Sequence, residues 1–161
     1  MALEFTILVG TQTGIAQLVA QEIELRLDGE DMRITTLLMD ELDPSVFDGG
    51  GLFLICTSTY GQGDVPDNAK QLYEGLVALR PDLSSVRYGL IGLGDNGTHA
   101  NTFCFAAKKF DGILGELGAH RIGEPLFNDS STGLPEDEAA EWIEGWIPLC
   151  RAQRGMEASA Q

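Results

Sequence analysis

Apolar residues along the chain come in two alternating kinds of run. Residues 4–10 (EFTILVG) are apolar almost throughout, as in a strand buried on both faces. Between Gly14 and Asp28, Ile15, Val19, Ile23 and Leu27 recur every four residues, which predicts an amphipathic helix. Residues 32–38 (MRITTLL) read as a second strand. The glycine turn at 48–51 then leads into a third at 52–57 (LFLICT). Pro66 is placed to open a helix whose apolar face is Leu72, Leu76 and Leu79, with Pro81 just beyond its end. Residues 86–92 (VRYGLIG) predict strand four, and 103–117 a helix stopped by Gly118. Residues 119–127 predict strand five. Pro135 and an acidic first turn then open a last helix carrying Ile143, Trp146, Ile147 and Cys150. From Arg151 to residue 161 the residues are small and polar, and a flexible tail is expected.

Five strands alternating with five helices imply an α/β fold, a doubly wound five-stranded parallel sheet with helices on both faces. At 161 residues one domain, residues 1–150, fits the doubly wound strand order 2-1-3-4-5 better than the longer dinucleotide-binding order. Ligands of such sheets sit beyond the carboxyl ends of the strands, at the switch point between strands one and three. The loops after strands one, three and four should therefore meet at one site.

Charge narrows the partners. With 25 acidic and 10 basic residues the net charge is −15, which argues against nucleic acid or an anionic membrane and for a basic protein surface. No run approaches the ~20 apolar residues of a membrane helix, and the N-terminus has no basic region or cleavage pattern of a secretion signal. Cys56, Cys104 and Cys150 are odd in number and widely spaced, so neither a disulfide framework nor a metal site is expected, and a reducing cytoplasm fits.

The first loop is Thr11-Gln12-Thr13-Gly14-Ile15-Ala16. Gly14 permits a tight turn into a helix N-terminus, whose free N–H groups favour an anion. The two threonines add hydroxyls and Gln12 an amide, but no Lys or Arg occurs before Arg26. The loop is neither GxxxxGK[ST] nor GxGxxG, so it is not a nucleotide-triphosphate loop or an NAD fingerprint. Taken alone, it reads equally as an N-cap cluster or as a phosphate cradle built from uncharged donors.

The second loop runs Ser58-Thr59-Tyr60-Gly61-Gln62-Gly63-Asp64-Val65-Pro66-Asp67-Asn68. Tyr60 offers a ring for a planar ligand, and Gly61 lets its peptide rotate between two states. The third loop, Gly94-Asp95-Asn96-Gly97-Thr98-His99 and on through Phe103-Cys104, is placed to cover the other face.

In register, the three loops resemble the flavodoxin family. The TxTGxA, STYGxGDxPDN and GLGD…FC segments stand in that family's order. VRYGLIGLGD, Gly123-Glu124 and the LPED…EW…W segment from Leu134 to Trp146 resemble its short bacterial members of the MioC and YqcA type. The resemblance spans roughly residues 4–150. It implies non-covalent FMN, with Thr11, Gln12, Thr13, Gly14, Ile15 and Ala16 at the 5′-phosphate. Ser58, Thr59, Tyr60, Gly61 and Gly63 would meet the flavin ring, and Gly94, Asp95 and Asn96 would line its second side, with Phe103 and Cys104 closing that loop. Two departures stand out. Ile15 replaces a common hydroxyl residue, and the third loop is about two residues longer and lacks the family's stacking Tyr, leaving His99 as the ring nearest that position.

The resemblance implies an electron carrier rather than an enzyme: a shuttle of single electrons between a basic-surfaced NADPH-dependent reductase and acceptor proteins, monomeric by default. Asp40, Glu41, Asp43, Asp64, Asp67 and Asp95 are expected at the rim of the site. An FMN-dependent NAD(P)H:quinone-type reductase is the alternative, because an open flavin face can stack a second ligand. A receiver-type signalling domain would want acidic residues after strand one, where this chain has Thr11-Gln12-Thr13, and a flavin-free interaction module would ignore FMN. No catalytic residue set accompanies the loops. His120 falls at the other end of the sheet, and Cys104 reads as a packed thiol.

Overall fold

The computed structural model of the protein describes residues 3–11, 14–27, 31–58, 67–94, 104–129 and 133–159. β1 (Leu3–Gly10), β2 (Met32–Leu38), β3 (Gly51–Ser58), β4 (Val86–Gly94), β5 (His120–Arg121) and β6 (Leu126–Asp129) form one sheet. Its order is β2-β1-β3-β4-β5, with β6 also paired to β4, and its pairs are parallel. α1 (Ile15–Leu27), α2 (Lys70–Leu79), α3 (Phe105–Glu116) and α4 (Pro135–Ser159) pack on its two faces.

The central strands alternate between two cores rather than between core and water. Leu8, Ile55 and Leu90 face α2 and α3, while Ile7, Leu54 and Ile91 face α1 and α4, and all six are fully buried. This double burial explains why strand residues such as ILVG and LFLIC read as unbroken apolar runs. Gly89 belongs to the same logic. A Cβ there would lie 2.5 Å from the Trp146 ring, so only glycine lets α4 seat that ring on the sheet. Trp146 Nε1 then donates to the Ile122 carbonyl at 3.1 Å, and the edge of Phe5 meets the ring at 5.4 Å.

Three expectations are corrected. Among the described residues there are four α-helices, not five: the β2–β3 crossover is two 3-10 turns, Met39–Glu41 and Pro44–Phe47. Asp43 caps the second turn by accepting from Ser45 N at 2.8 Å, and Phe47 buries beneath it, so the crossover is covered without a full helix. Strand five is split into β5 and β6. Gly123 adopts φ +73° between them and Pro125 has no N–H for the ladder, although Ile122 N still donates to Tyr88 O at 2.8 Å. The segment from Arg151, read as a tail, continues α4 to Ser159, with Gln153 and Arg154 half-buried.

Candidate functional site

β1 leads by way of α1 to β2 on one side of the sheet, and β3 leads to β4 on the other. The crevice opened by this divergence lies over the paired ends of β1 and β3, where Gly10 stands opposite Thr57. Gly10 is needed for the two strand ends to close. A Cβ there would sit 2.7 Å from Thr57 Oγ1 and 3.1 Å from Met39 Sδ.

Thr11 is the hinge of the first loop. Its backbone N–H donates to Asn68 Oδ1 at 2.7 Å, and its own Oγ1 accepts from Gly14 N at 2.9 Å. Gly14 turns the chain with φ +91°, and nothing among the described residues lies within 4 Å of where a Cβ would be. α1 starts immediately afterwards, and the first-turn amides of a helix have no intrahelical carbonyl partners. Ala16 is buried, and its carbonyl accepts from Cys56 Sγ at 3.7 Å, which fixes the start of α1 against β3. Ile15 is about half exposed and contributes no hydroxyl. With no Lys or Arg in the chain before Arg26, the donors at this tip are uncharged. An open glycine, a helix N-terminus and neutral donors fit a phosphate ester held by backbone and dipole.

The remaining described members line the same end of the sheet. Ser58 ends β3, half-buried, and Gly94 ends β4 opposite Asp129 of β6. Cys104 precedes α3 in a left-handed conformation, φ +53°, with its Sγ donating to Asn128 O at 3.8 Å. Burial pushes the Cys104 thiol up to about 12, so it is a protonated, packed group. Neighbouring Asn128 is buried and donates to Glu138 Oε2 at 2.7 Å, while its Oδ1 has no hydrogen-bond partner among the described residues. Gln12, Thr13, Thr59, Tyr60, Gly61, Gly63, Asp95, Asn96, His99 and Phe103 lie outside the described residues.

Asn68 is the site residue without a role in the sequence reading. Besides receiving Thr11 N–H, it donates to Val9 O at 3.3 Å and to Asp40 Oδ1 at 3.2 Å. One side chain thus ties the end of β1, the first loop and the β2–β3 crossover together. Pro66 marks a helix start in the sequence, but nothing in the local spacing points from Asn68 to a partner 57 positions away. Of the expected acidic rim, Asp40 and Asp43 are exposed, and Asp64, like Asp95, lies outside the described residues. The Ser45 hydroxyl and backbone N–H both bond Asp43 and hold its carboxyl below the usual range, keeping it charged. His120 is exposed on β5 opposite Arg87, near the amino end of β4 and far from the crevice. No helix among the described residues is long and apolar enough to cross a membrane.

The fold and the crevice define a doubly wound α/β protein with a glycine turn and a helix N-terminus at its switch point. The chain belongs to the flavodoxin family, whose model matches residues 7–142. It is 37% identical over 152 residues to Protein MioC of Escherichia coli O157:H7, covering 92% of this chain and 99% of that one. It is 39% identical over 150 residues to Flavodoxin YqcA of Escherichia coli strain K12, with coverages of 91% and 97%. A solved cysteine-to-serine mutant of a flavodoxin from Pseudomonas aeruginosa superposes with a TM-score of 0.80 at 29% identity, over 91% of this chain and 98% of that one.

Proposed function

We propose that the crevice holds FMN non-covalently and that the chain passes single electrons from a basic-surfaced NADPH-dependent reductase to acceptor proteins. As a member of the flavodoxin family the chain is an FMN-binding electron-transfer protein. Proteins of this family act as carriers rather than enzymes, and direct NAD(P)H:quinone reduction is the less favoured reading. The observation that carries the proposal is the tip of α1, where Thr11 Oγ1 accepts from Gly14 N and the space beside Gly14 is open among the described residues.

Bound FMN supplies the redox chemistry, and the chain's residues hold and tune it. Thr11, Gln12, Thr13, Gly14, Ile15 and Ala16 offer N–H and hydroxyl donors to the phosphate. Ser58, Thr59, Tyr60, Gly61 and Gly63 would contact the ring on one side. Gly94, Asp95, Asn96 and His99, with Phe103 and Cys104, would line its other side. Asp40 and Asp43 keep negative charge near the mouth, which disfavours further charge on the cofactor and attracts a basic partner. Three free, buried cysteines suit a cytoplasmic setting, and a monomer satisfies the fold as it stands.

Titrating FMN into the purified chain tests this reading. One equivalent should quench the flavin fluorescence, and stepwise anaerobic reduction should show two separable one-electron stages. NADPH with a quinone should give no turnover unless a reductase is added. Absence of FMN binding overturns the proposal, and turnover without the reductase replaces the carrier with the enzyme.

A further inference from the structure

The amino-terminal ends of the strands, at the pole opposite the crevice, frame a cleft of about 640 Å³. Leu3, Leu52, Ile122 and Cys150 form an apolar floor, and α4 closes one side with Gln153 and Arg154. The size is that of a small-molecule site. Its charge is the anomaly. Acids outnumber bases 25 to 10 in the chain, yet Arg33, Arg87 and Arg154 line this cleft and Glu4 is the one acid among its described lining residues.

The cleft is also ordered. Arg87 stands in register with Leu52, which turns it to the α1–α4 face. Its Nη1 donates to Ser84 O at 2.9 Å and to Val86 O at 3.2 Å, fixing the guanidinium at the wall. Arg154 is likewise half-buried beside it on α4. Arg33 pairs with Glu4 at 3.3 Å at the outer mouth, both well exposed, so that acid is partly offset. Arg87 and Arg154 already hold partners within the chain, and a guanidinium, with five N–H donors in a planar fork, can share itself between such a partner and a carboxylate or phosphate oxygen.

We propose that this cleft binds a small organic anion, a carboxylate or phosphate head on an apolar body, with Arg87 and Arg154 holding the head and the Leu3–Leu52–Ile122 floor taking the body. The site is separate from the crevice and does not depend on what the crevice holds. In a −15 protein, a locally basic and partly apolar hollow favours such a ligand over water.

The test is amide chemical-shift mapping of the full chain in excess FMN, titrated separately with phenyl phosphate and benzoate to about 10 mM, where millimolar ligands saturate. At least one probe should saturate shifts at Gly51, Leu52, Ile122 and Cys150. Phenol and inorganic phosphate, each carrying half of the chemistry, should shift them less. In the Arg87→Gln/Arg154→Gln variant the affinity should fall about tenfold or more, as loss of charge-assisted bonds implies. If that variant does not fold, Arg154→Gln alone should still weaken binding. Saturation by neither probe, equal response to phenol, or undiminished binding by the folded variant overturns the proposal.

Discussion

Asn68 accepts the backbone N–H of Thr11 at 2.7 Å, joining the start of α2 to the tip of β1 across 57 positions of sequence. The same side chain donates to Val9 O and to Asp40, so its amide is used in both senses. Asn68→Ala strands the Thr11 N–H and Val9 O together. The expected cost is about 1–3 kcal/mol in stability, with FMN affinity about tenfold weaker because the phosphate loop loses its anchor. Asn68→Asp keeps the acceptor for Thr11 but sets a carboxylate against Val9 O and Asp40, so it should also bind more weakly. Urea unfolding with and without FMN, beside a fluorescence titration, separates the two effects.

Gly10 and Gly14 are four positions apart and fail for different reasons when substituted. Gly10→Ala drives a Cβ to 2.7 Å from Thr57 Oγ1 and 3.2 Å from Ala69 Cβ, so overpacking should cost roughly 1–3 kcal/mol. Gly14→Ala meets no atom of the described residues within 4 Å but must hold φ +91°, a strain of roughly 1–2 kcal/mol. The first should lower the melting temperature of the FMN-free chain most. The second should chiefly weaken FMN. Calorimetric scans of both forms check the order.

These glycines show what the residues made legible. The doubly covered sheet followed from apolar runs buried on both faces and its strand order from the chain's length, and the three loops were visible because ligand loops in such sheets fall after strands one, three and four. The β2–β3 crossover was misread because 3-10 turns capped by Asp43 leave no helical period in the sequence. The break of strand five at Gly123–Pro125 was hidden inside an otherwise apolar stretch, and the length of α4 was missed because its last turns are polar. Asn68 was quoted in its loop yet given no role, since a long-range hydrogen bond has no signature in local spacing.

The three cysteines give a pH prediction. Burial pushes the thiols of Cys56, Cys104 and Cys150 from 9.0 up to about 12 in the folded chain. Between those values the unfolded chain releases protons that the folded one keeps, so the thiols favour folding fully below about pH 9 and progressively less up to about 12. The midpoint of urea unfolding should therefore fall as pH rises through this window, and a variant with all three replaced by alanine should lose part of that slope. At pH 8 the folded chain should react with a thiol reagent only as fast as it opens. Rapid labelling in buffer would contradict the burial.

Asp111 on α3 joins two strands from outside the crevice. Tyr88 OH donates to its Oδ1 at 2.5 Å, and Arg121 Nη1 meets its Oδ2 at 2.6 Å, both half-shielded from water. Desolvation, then the hydrogen bond to Asp111, raises the Tyr88 phenol well above its ordinary range, so it stays a donor throughout the working pH. Tyr88→Phe removes one bond while Asp111 keeps Arg121, and should cost about 0.5–1.5 kcal/mol. Asp111→Ala leaves both the phenol and the guanidinium without this partner, and should cost more, about 1–3 kcal/mol. Because the two share one carboxylate, the double variant should cost less than the sum, a coupling that a double-mutant cycle in urea reads directly. FMN affinity should be unchanged throughout, since Asp111 meets Tyr88 and Arg121 toward the amino end of β4 rather than at the carboxyl ends of the strands. A parallel loss of FMN binding would mean that α3 positions the third loop through this contact.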